Sequence, residues 1–199
     1  MIKKFRTLWS IAALFVLGVL ICTMHVRQLK SGLNTMKRRS EHTLIVTSDV
    51  FQDGQRIPDK YTCSGDNVSP RISWSNVPSQ AKTIALICDD PDAPREEPWV
   101  HWVIFNIPIT QQELPEAISA DDKKLSDGSC QGINSFEKIG YGGACPPLGH
   151  GTHHYYFKLY ALDVKLELEA GATKMDLETA MIGHIVATGE LMGTYSREE

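Results

Sequence analysis

The sequence lacks the motifs by which several common enzyme and metal-binding classes are recognised. It contains no G-x-S-x-G, the turn that carries the nucleophile of many serine hydrolases. No two cysteines have C-x-x-C spacing, which argues against zinc and thioredoxin-type sites. No internal repeat or low-complexity tract is present. A length of 199 residues is therefore consistent with one domain and a short additional segment.

Acidic residues are missing from the first 39 positions, and basic residues are outnumbered by acidic ones in the rest of the chain. Eight of the 20 Lys and Arg residues lie within positions 1–39, whereas all 24 Asp and Glu residues follow them. The remainder thus holds 12 basic and 24 acidic residues, a net charge of −12. Nucleic-acid-binding domains carry basic patches, so we expect no nucleic-acid partner.

A single long apolar run lies near the N-terminus. It reads LWSIAALFVLGVLICTM over positions 8–24 and follows a basic region, positions 1–7. This arrangement is typical of an export signal, and the run is also near the lower length limit for a membrane span. No small-x-small cleavage pattern follows it, which favours an uncleaved anchor. We predict a transmembrane anchor or signal segment over 8–24 and a polar linker over 25–42.

Two features of the sequence predict opposite orientations of this segment in the membrane. Five basic residues between Arg27 and Arg39 would retain the following domain in the cytoplasm. A short apolar run ahead of a whole domain is instead the usual layout of an exported protein. We expect a membrane-anchored or exported protein, with the periplasmic side favoured over the cytoplasm.

The body of the chain, positions 43–199, alternates between strand-like segments and loops rich in Gly and Pro. The segments that favour strands are TLIVTSDVF, RISWSNV, TIALICDD, VHWVIFNIP and HHYYFKLYALD. Positions 109–140 predict a long surface excursion between strands. We therefore predict a mainly β domain, a sandwich or barrel-like fold with peripheral helices.

A helix is predicted to close the chain. Thr173 and Asp176 have the spacing of a capping box at a helix start. Apolar positions then recur at helical spacing. These positions are Leu177, Met181, Ile185, Thr188 and Met192.

The stretch Tyr141–Asp163 joins a Gly- and Pro-rich loop to the head of a strand. It carries three histidines, His150, His153 and His154. Strand alternation places His153 and Tyr155 on one face and His154 on the other. We interpret this stretch as the floor of a pocket.

Two further segments offer polar side chains to such a pocket. Asp90 and Asp92 alternate with prolines in DDPDAP, at the end of a strand, although aspartates also stabilise turns without any ligand. His101 begins the next strand.

The cysteines of the body indicate one possible pairing. Cys88 ends an apolar strand and is expected to be a buried thiol. Cys63 and Cys145 both lie in Gly-containing loops. A disulfide between them is permitted if the domain is exported, whereas all four cysteines should be reduced in the cytoplasm.

Four ordered segments together resemble one protein family. CSGDNVSPRISW, DDPDAP, VHWVIFNIP and GGACPPLGHGTHHYYFKLYALD are similar to the phosphatidylethanolamine-binding protein (PEBP) family, and more so to its bacterial Raf-kinase-inhibitor-like branch. The resemblance covers about residues 44–197. It implies a PEBP-like antiparallel β-sandwich with short peripheral helices. It also implies a non-enzymatic binding protein with a pocket for phosphate-type head groups.

The resemblance assigns the pocket to seven residues. They are Asp90, Asp92, His101, Gly143, Pro147, His153 and Tyr155. A protonated histidine and a tyrosine hydroxyl can donate to a phosphate, and Gly-rich backbone can turn its amides towards an anion. Asp90 would hold a histidine in one tautomer and favour its charged form rather than contact the anion. Ala144 and His154 depart from the branch pattern, where proline and arginine are usual.

Two other functions remain open. The first is a hydrolase acting on phosphoester or acyl substrates through the His, Asp and Tyr side chains, for which Cys145 is the candidate nucleophile. The second is a metal site built from His101, His150 and His153. We favour binding, with no cofactor. The resemblance also implies a possible protein partner, because family members inhibit kinases or proteases.

Overall fold

The computed structural model describes residues 43–198. The predicted basic region, apolar segment and linker lie outside these residues, so the membrane-anchor and localisation predictions are untested. Within residues 43–198, no helix is both long and apolar enough to cross a membrane.

Eight strands form the framework of the domain. They are β1 Ile45–Thr47, β2 Ile72–Ser75, β3 Thr83–Asp90, β4 Trp99–Pro108, β5 Glu113–Leu114, β6 Cys130–Gln131, β7 His153–Leu162 and β8 Ile185–Tyr195. One 3-10 helix, Asp59–Tyr61, and one α-helix, α1 Lys174–Met181, accompany them in the described part of the chain. The predicted surface excursion is thus interrupted by β5 and β6.

The strands form two antiparallel sheets. The smaller sheet has the order β1-β2-β5, and the larger has the order β6-β4-β3-β7-β8. The prediction of a mainly β fold with two sheets is confirmed. Because β3 is the central strand of the larger sheet, all eight of its residues are buried, as its continuous apolar sequence predicts.

The two faces of β3 contribute to separate apolar clusters. Ile84, Leu86 and Cys88 pack into the main core between the two sheets. Ala85 and Ile87 face the opposite way and belong to a second cluster with Leu177 and Met181 of α1. This alternation continues to the end of the strand, where Asp89 and Asp90 follow Cys88.

The prediction of a long closing helix is wrong. The capping box of Thr173 and Asp176 is present, but α1 ends at Met181, and β8 closes the chain at the edge of the larger sheet. Gly183 has φ +83°, a left-handed conformation that commonly follows the end of a helix. The helical spacing of Ile185, Thr188 and Met192 therefore arises by coincidence within a strand.

Candidate functional site

The centre of the candidate site is a buried pair between neighbouring strands. Asp90 ends β3 and His153 begins the antiparallel strand β7. His153 Nδ1 lies 2.7 Å from Asp90 Oδ2, and the two side chains are 2% and 4% exposed. A carboxylate can only accept at this contact, so Nδ1 carries the proton. The other oxygen, Asp90 Oδ1, accepts a hydrogen bond from the backbone N–H of Asp92 at 2.8 Å.

His150 extends this pair towards the surface. Its Nδ1 lies 2.7 Å from His153 Nε2, so both ring nitrogens of His153 are engaged. The His150 residue itself is exposed, at the tip of the loop between Cys145 and β7. The result is a continuous chain from Asp90 through His153 to His150.

His101 enters the site because of a β-bulge. Cys88 pairs with Trp102 and Asp89 with Val100, which leaves His101 as the extra residue of β4. A bulge redirects the side chain of such a residue. His101 Nδ1 donates to the Gly142 carbonyl oxygen at 2.6 Å, and Gly142 N–H donates back to the His101 carbonyl at 2.8 Å.

Burial changes the chemistry expected of His101. The side chain is inaccessible to water, and this desolvation lowers its pKa despite the Gly142 carbonyl and the Asp90 charge, which raise it. At neutral pH the ring is therefore uncharged. It packs edge-on against Tyr155, with the ring centroids 5.1 Å apart.

Tyr155 provides an unused donor. It lies two residues after His153 on the same face of β7, and it is only 1% exposed. Its buried hydroxyl lies near the Asp90 carboxylate but makes no hydrogen bond of good geometry among the described residues. Burial first, and then the charge of Asp90, raise the pKa of Tyr155, so the hydroxyl remains protonated.

Asp92 pairs with the histidine on the other face of β7. Its Oδ2 accepts from the backbone N–H of His154 at 2.8 Å and lies 2.6 Å from His154 Nδ1. Both side chains are 41% exposed. Burial raises the pKa of Asp92, but the hydrogen bonds from His154 outweigh it and the pKa is lowered overall. Asp92 braces the loop, while Asp90 holds the buried histidine.

Gly143 and Pro147 are placed differently from the other predicted residues. Gly143 N–H donates to Asn67 Oδ1 at 2.7 Å. Together with the Gly142 bond to His101, this leaves neither glycine amide free to bind an anion, so the idea of a backbone nest fails for this pair. Gly143 is instead required for close approach, because a Cβ would lie 2.6 Å from the Tyr61 carbonyl oxygen. Pro147 is exposed and accepts from His150 N–H at 3.2 Å.

The structure joins Cys63 to Cys145 through a disulfide. Cys145 therefore cannot act as a thiolate nucleophile in this structure. Cys88 is a buried free thiol, as the sequence predicted. Its pKa is raised well above the ordinary value by burial, and next by the nearby carboxylates, so it is not an activated nucleophile either.

The proposed metal site is not assembled. Within residues 43–198, no group of three His, Cys, Asp or Glu side chains is arranged to hold a metal ion. His150 and His153 face each other at hydrogen-bond distance, and His101 Nδ1 faces a carbonyl oxygen.

Sequence reasoning missed two aromatic residues and the role of His150. Phe136 lies edge-on to both Trp99 and His101, at centroid distances of 5.2 and 5.6 Å. Trp99 is also the register partner of Asp90, and its Nε1 is another of the three buried donors without a partner in the described part of the chain. The sequence around Trp99 indicated a strand, but no local pattern indicated that Trp99 and Phe136 pack together beside His101.

Comparisons with known proteins agree on one family. A family model described as phosphatidylethanolamine-binding protein matches residues 47–196. A UPF0098 protein of Methanothermobacter thermautotrophicus is 52% identical over 148 residues, covering 74% of this chain and 95% of that protein. The corresponding protein of Aquifex aeolicus is 46% identical over 156 residues, covering 77% and 88%.

Solved structures give the same result. A phosphatidylethanolamine-binding protein homologue from Chlamydia trachomatis is 43% identical, with a TM-score of 0.71, and the match covers 79% of this chain and 99% of that one. Escherichia coli YbcL, described as a new member of the mammalian PEBP family, is 36% identical, with a TM-score of 0.72 and coverage of 77% and 98%.

Proposed function

This chain belongs to the phosphatidylethanolamine-binding protein family, and from its site we propose that it is a binding protein, not an enzyme, that holds a small phosphate-type anion. We place this anion recess at the cluster formed by Asp90, His153, Tyr155 and His101. Phospholipid head groups and phosphorylated side chains both present such an anion.

The observation that carries this proposal is the hydroxyl of Tyr155, one of three buried side-chain donors without a hydrogen-bond partner in residues 43–198 and the one beside the Asp90–His153 pair. A buried polar group without a hydrogen bond costs about 1–3 kcal/mol, and native proteins contain few of them. A phosphate oxygen would accept this hydrogen bond. Because the pKa of Tyr155 is raised, the hydroxyl stays neutral and does not repel an anion.

The buried pair supports the same conclusion. A bare carboxylate would repel a phosphate, but Asp90 is neutralised in part by its contact with His153. The carboxylate also fixes the tautomer of His153, because it can only accept the proton on Nδ1. The neutral His101 ring and Phe136 add an apolar wall, where charged hydrogen bonds are stronger than in water.

Ligand-dependent thermal stability tests the proposal. Inorganic phosphate and phosphoethanolamine should each raise the Tm in a saturable manner, because a ligand that binds only the native state stabilises it. His153→Ala should abolish the shift, whereas His154→Ala should retain most of it. No shift at millimolar ligand, in protein shown to be folded, would refute the anion site.

The same preparations address the other predictions. Turnover of a phosphoester by the purified protein would favour the hydrolase alternative. A larger shift with phosphoethanolamine than with phosphate would favour a lipid head group. The inhibitory role towards a protein partner stays a prediction from the family resemblance.

A further inference from the structure

The proposed recess raises the question of which atom donates to the anion. Both ring nitrogens of His153 are already engaged within the protein. Nδ1 contacts Asp90 and Nε2 contacts His150, both at 2.7 Å. The backbone N–H groups of Gly142 and Gly143 also donate their hydrogen bonds within the protein. His150 Nε2, in contrast, has no hydrogen-bond partner among residues 43–198, and its residue is exposed.

We propose that His150 is a ligand-contacting residue of the anion site, and that His153 positions it and shares its charge. This inference rests on the proposed function, because it assigns one contact of the same ligand. It places the phosphate against His150 Nε2, at the mouth of the recess, rather than on the ring of His153.

The tautomers explain why this atom becomes a donor. One proton lies between His153 Nε2 and His150 Nδ1, since two lone pairs at 2.7 Å would repel. When the pair is neutral, His150 donates this proton and its Nε2 bears a lone pair. When the pair takes up one more proton, Nε2 of His150 carries it, whichever ring holds the charge. The exposed nitrogen thus changes from acceptor to donor, and Asp90 balances the added charge.

The loop that carries His150 is held from several sides. Cys145 is tied to Cys63, and Arg197 Nε donates to the Pro146 carbonyl at 2.8 Å. Gly149 N–H donates to the Arg197 carbonyl at 3.1 Å, and His150 N–H to the Pro147 carbonyl at 3.2 Å. These contacts hold the backbone from Cys145 to His150, so the donor is preorganised and loses little entropy on binding.

Binding should therefore take up a proton and weaken as the pH rises. The titratable and charged groups that face the His153–His150 pair are Asp90, Asp92, His101, His154, Tyr155 and Arg197. Asp90 favours the charged pair most directly, through its hydrogen bond.

Calorimetric titration with inorganic phosphate tests the assignment. At pH 6, His150→Ala should weaken phosphate binding about tenfold or more, as expected for the loss of one charge-assisted hydrogen bond. His184→Ala is the matched control and should change it less than about twofold. His184 is also a partly exposed histidine paired with a carboxylate, Asp163 at 2.9 Å, beyond the far end of β7. For the wild type, titrations in buffers of different ionisation enthalpy should show proton uptake on phosphate binding.

The outcomes separate this inference from the proposed function. If the wild type binds and His150→Ala binds equally well, the inference fails while the anion site stands. Tighter binding by His150→Ala would also overturn it, because His150 would then only cover His153. If the wild type does not bind phosphate, both proposals fail. Ring ¹⁵N shifts give an independent readout, in which phosphate should perturb His150 Nε2 more than either nitrogen of His153.

Discussion

Asp90 Oδ2 and His153 Nδ1 lie 2.7 Å apart, in side chains that are 4% and 2% exposed. This contact joins the end of the central strand to the head of its neighbour. It holds the imidazole of His153 in one orientation, with its proton on Nδ1. The neighbouring Asp89 faces the other side of the sheet and has a structural role.

Removing the hydroxyl of Tyr155 should weaken phosphate binding without destabilising the fold. Since this hydroxyl makes no hydrogen bond of good geometry within residues 43–198, Tyr155→Phe should leave the free energy of unfolding within about 1 kcal/mol or raise it. The same change should weaken phosphate binding about tenfold, because the ligand loses one hydrogen bond. Urea denaturation and calorimetry measure the two quantities.

Tyr141 provides the contrasting control. Its buried hydroxyl donates to the Tyr61 carbonyl at 2.7 Å. Tyr141→Phe should therefore destabilise the free protein by about 1–3 kcal/mol. A comparable loss of stability in Tyr155→Phe would show that its hydroxyl has a partner in solution.

His101 should make stability depend on pH. Because burial lowers its pKa in the folded state, the unfolded chain binds more protons below the ordinary value, about 6.5. The stabilisation is complete above this value and is lost as the pH falls through it, by up to about 1.4 kcal/mol per pH unit. Denaturation between pH 7 and pH 5 should show this slope.

His101→Asn should flatten that slope. An asparagine amide can still donate to the Gly142 carbonyl but does not titrate in this range. Above pH 7 the variant and the wild type should differ by a constant free energy. Parallel curves down to pH 5 would mean that His101 contributes no proton linkage.

The disulfide should contribute strongly to stability. Cys63 and Cys145 are 82 residues apart, and closing a loop of this length is expected to stabilise the fold by about 4 kcal/mol in the chain-entropy treatment. Dithiothreitol should lower the urea midpoint of the wild type. It should have no effect on Cys63→Ala, which already lacks the bond, and an unchanged wild-type midpoint would contradict the prediction.

The stability of the fold should depend on each of the two lysines that contact Asp89. Its carboxylate is fully buried and accepts from Lys158 Nζ at 2.7 Å and Lys174 Nζ at 2.6 Å. Lys174→Met keeps the apolar stem but removes one charged donor, so we expect a destabilisation of about 1–3 kcal/mol. Lys165→Met changes an exposed residue in the loop between β7 and α1, so it should leave the free energy of unfolding almost unchanged. Equal losses of stability in the two variants would show that the contact between Lys174 and Asp89 adds no stability.

The parts of the site that the sequence revealed were those that follow from local periodicity. Alternation along β7 separated His153 and Tyr155 from His154, and the capping box located the start of α1. The end of α1 was missed because the apolar residues of β8 happen to have helical spacing. That part of the chain is in fact fixed by pairing with β7, a contact distant in sequence.

The rest of the site depends on contacts that no local pattern contains. His101 reaches the site through a bulge whose presence depends on the pairing of β3 with β4. The His150–His153 contact depends on a loop held by Cys63 and Arg197, far away in the chain. Likewise, the glycine amides were expected to face an anion, but Asn67 and His101 occupy them.

The phosphate affinity of Asp90→Asn tests the central claim most directly. Coulomb repulsion alone would make an anion bind more tightly when a nearby carboxylate is neutralised. If Asp90 instead charges and orients His153, the substitution should weaken inorganic phosphate binding about tenfold or more at pH 6. Asp92→Asn, in the exposed pair of the same loop, should cause no such loss. Unchanged or tighter phosphate binding by folded Asp90→Asn protein would contradict the account.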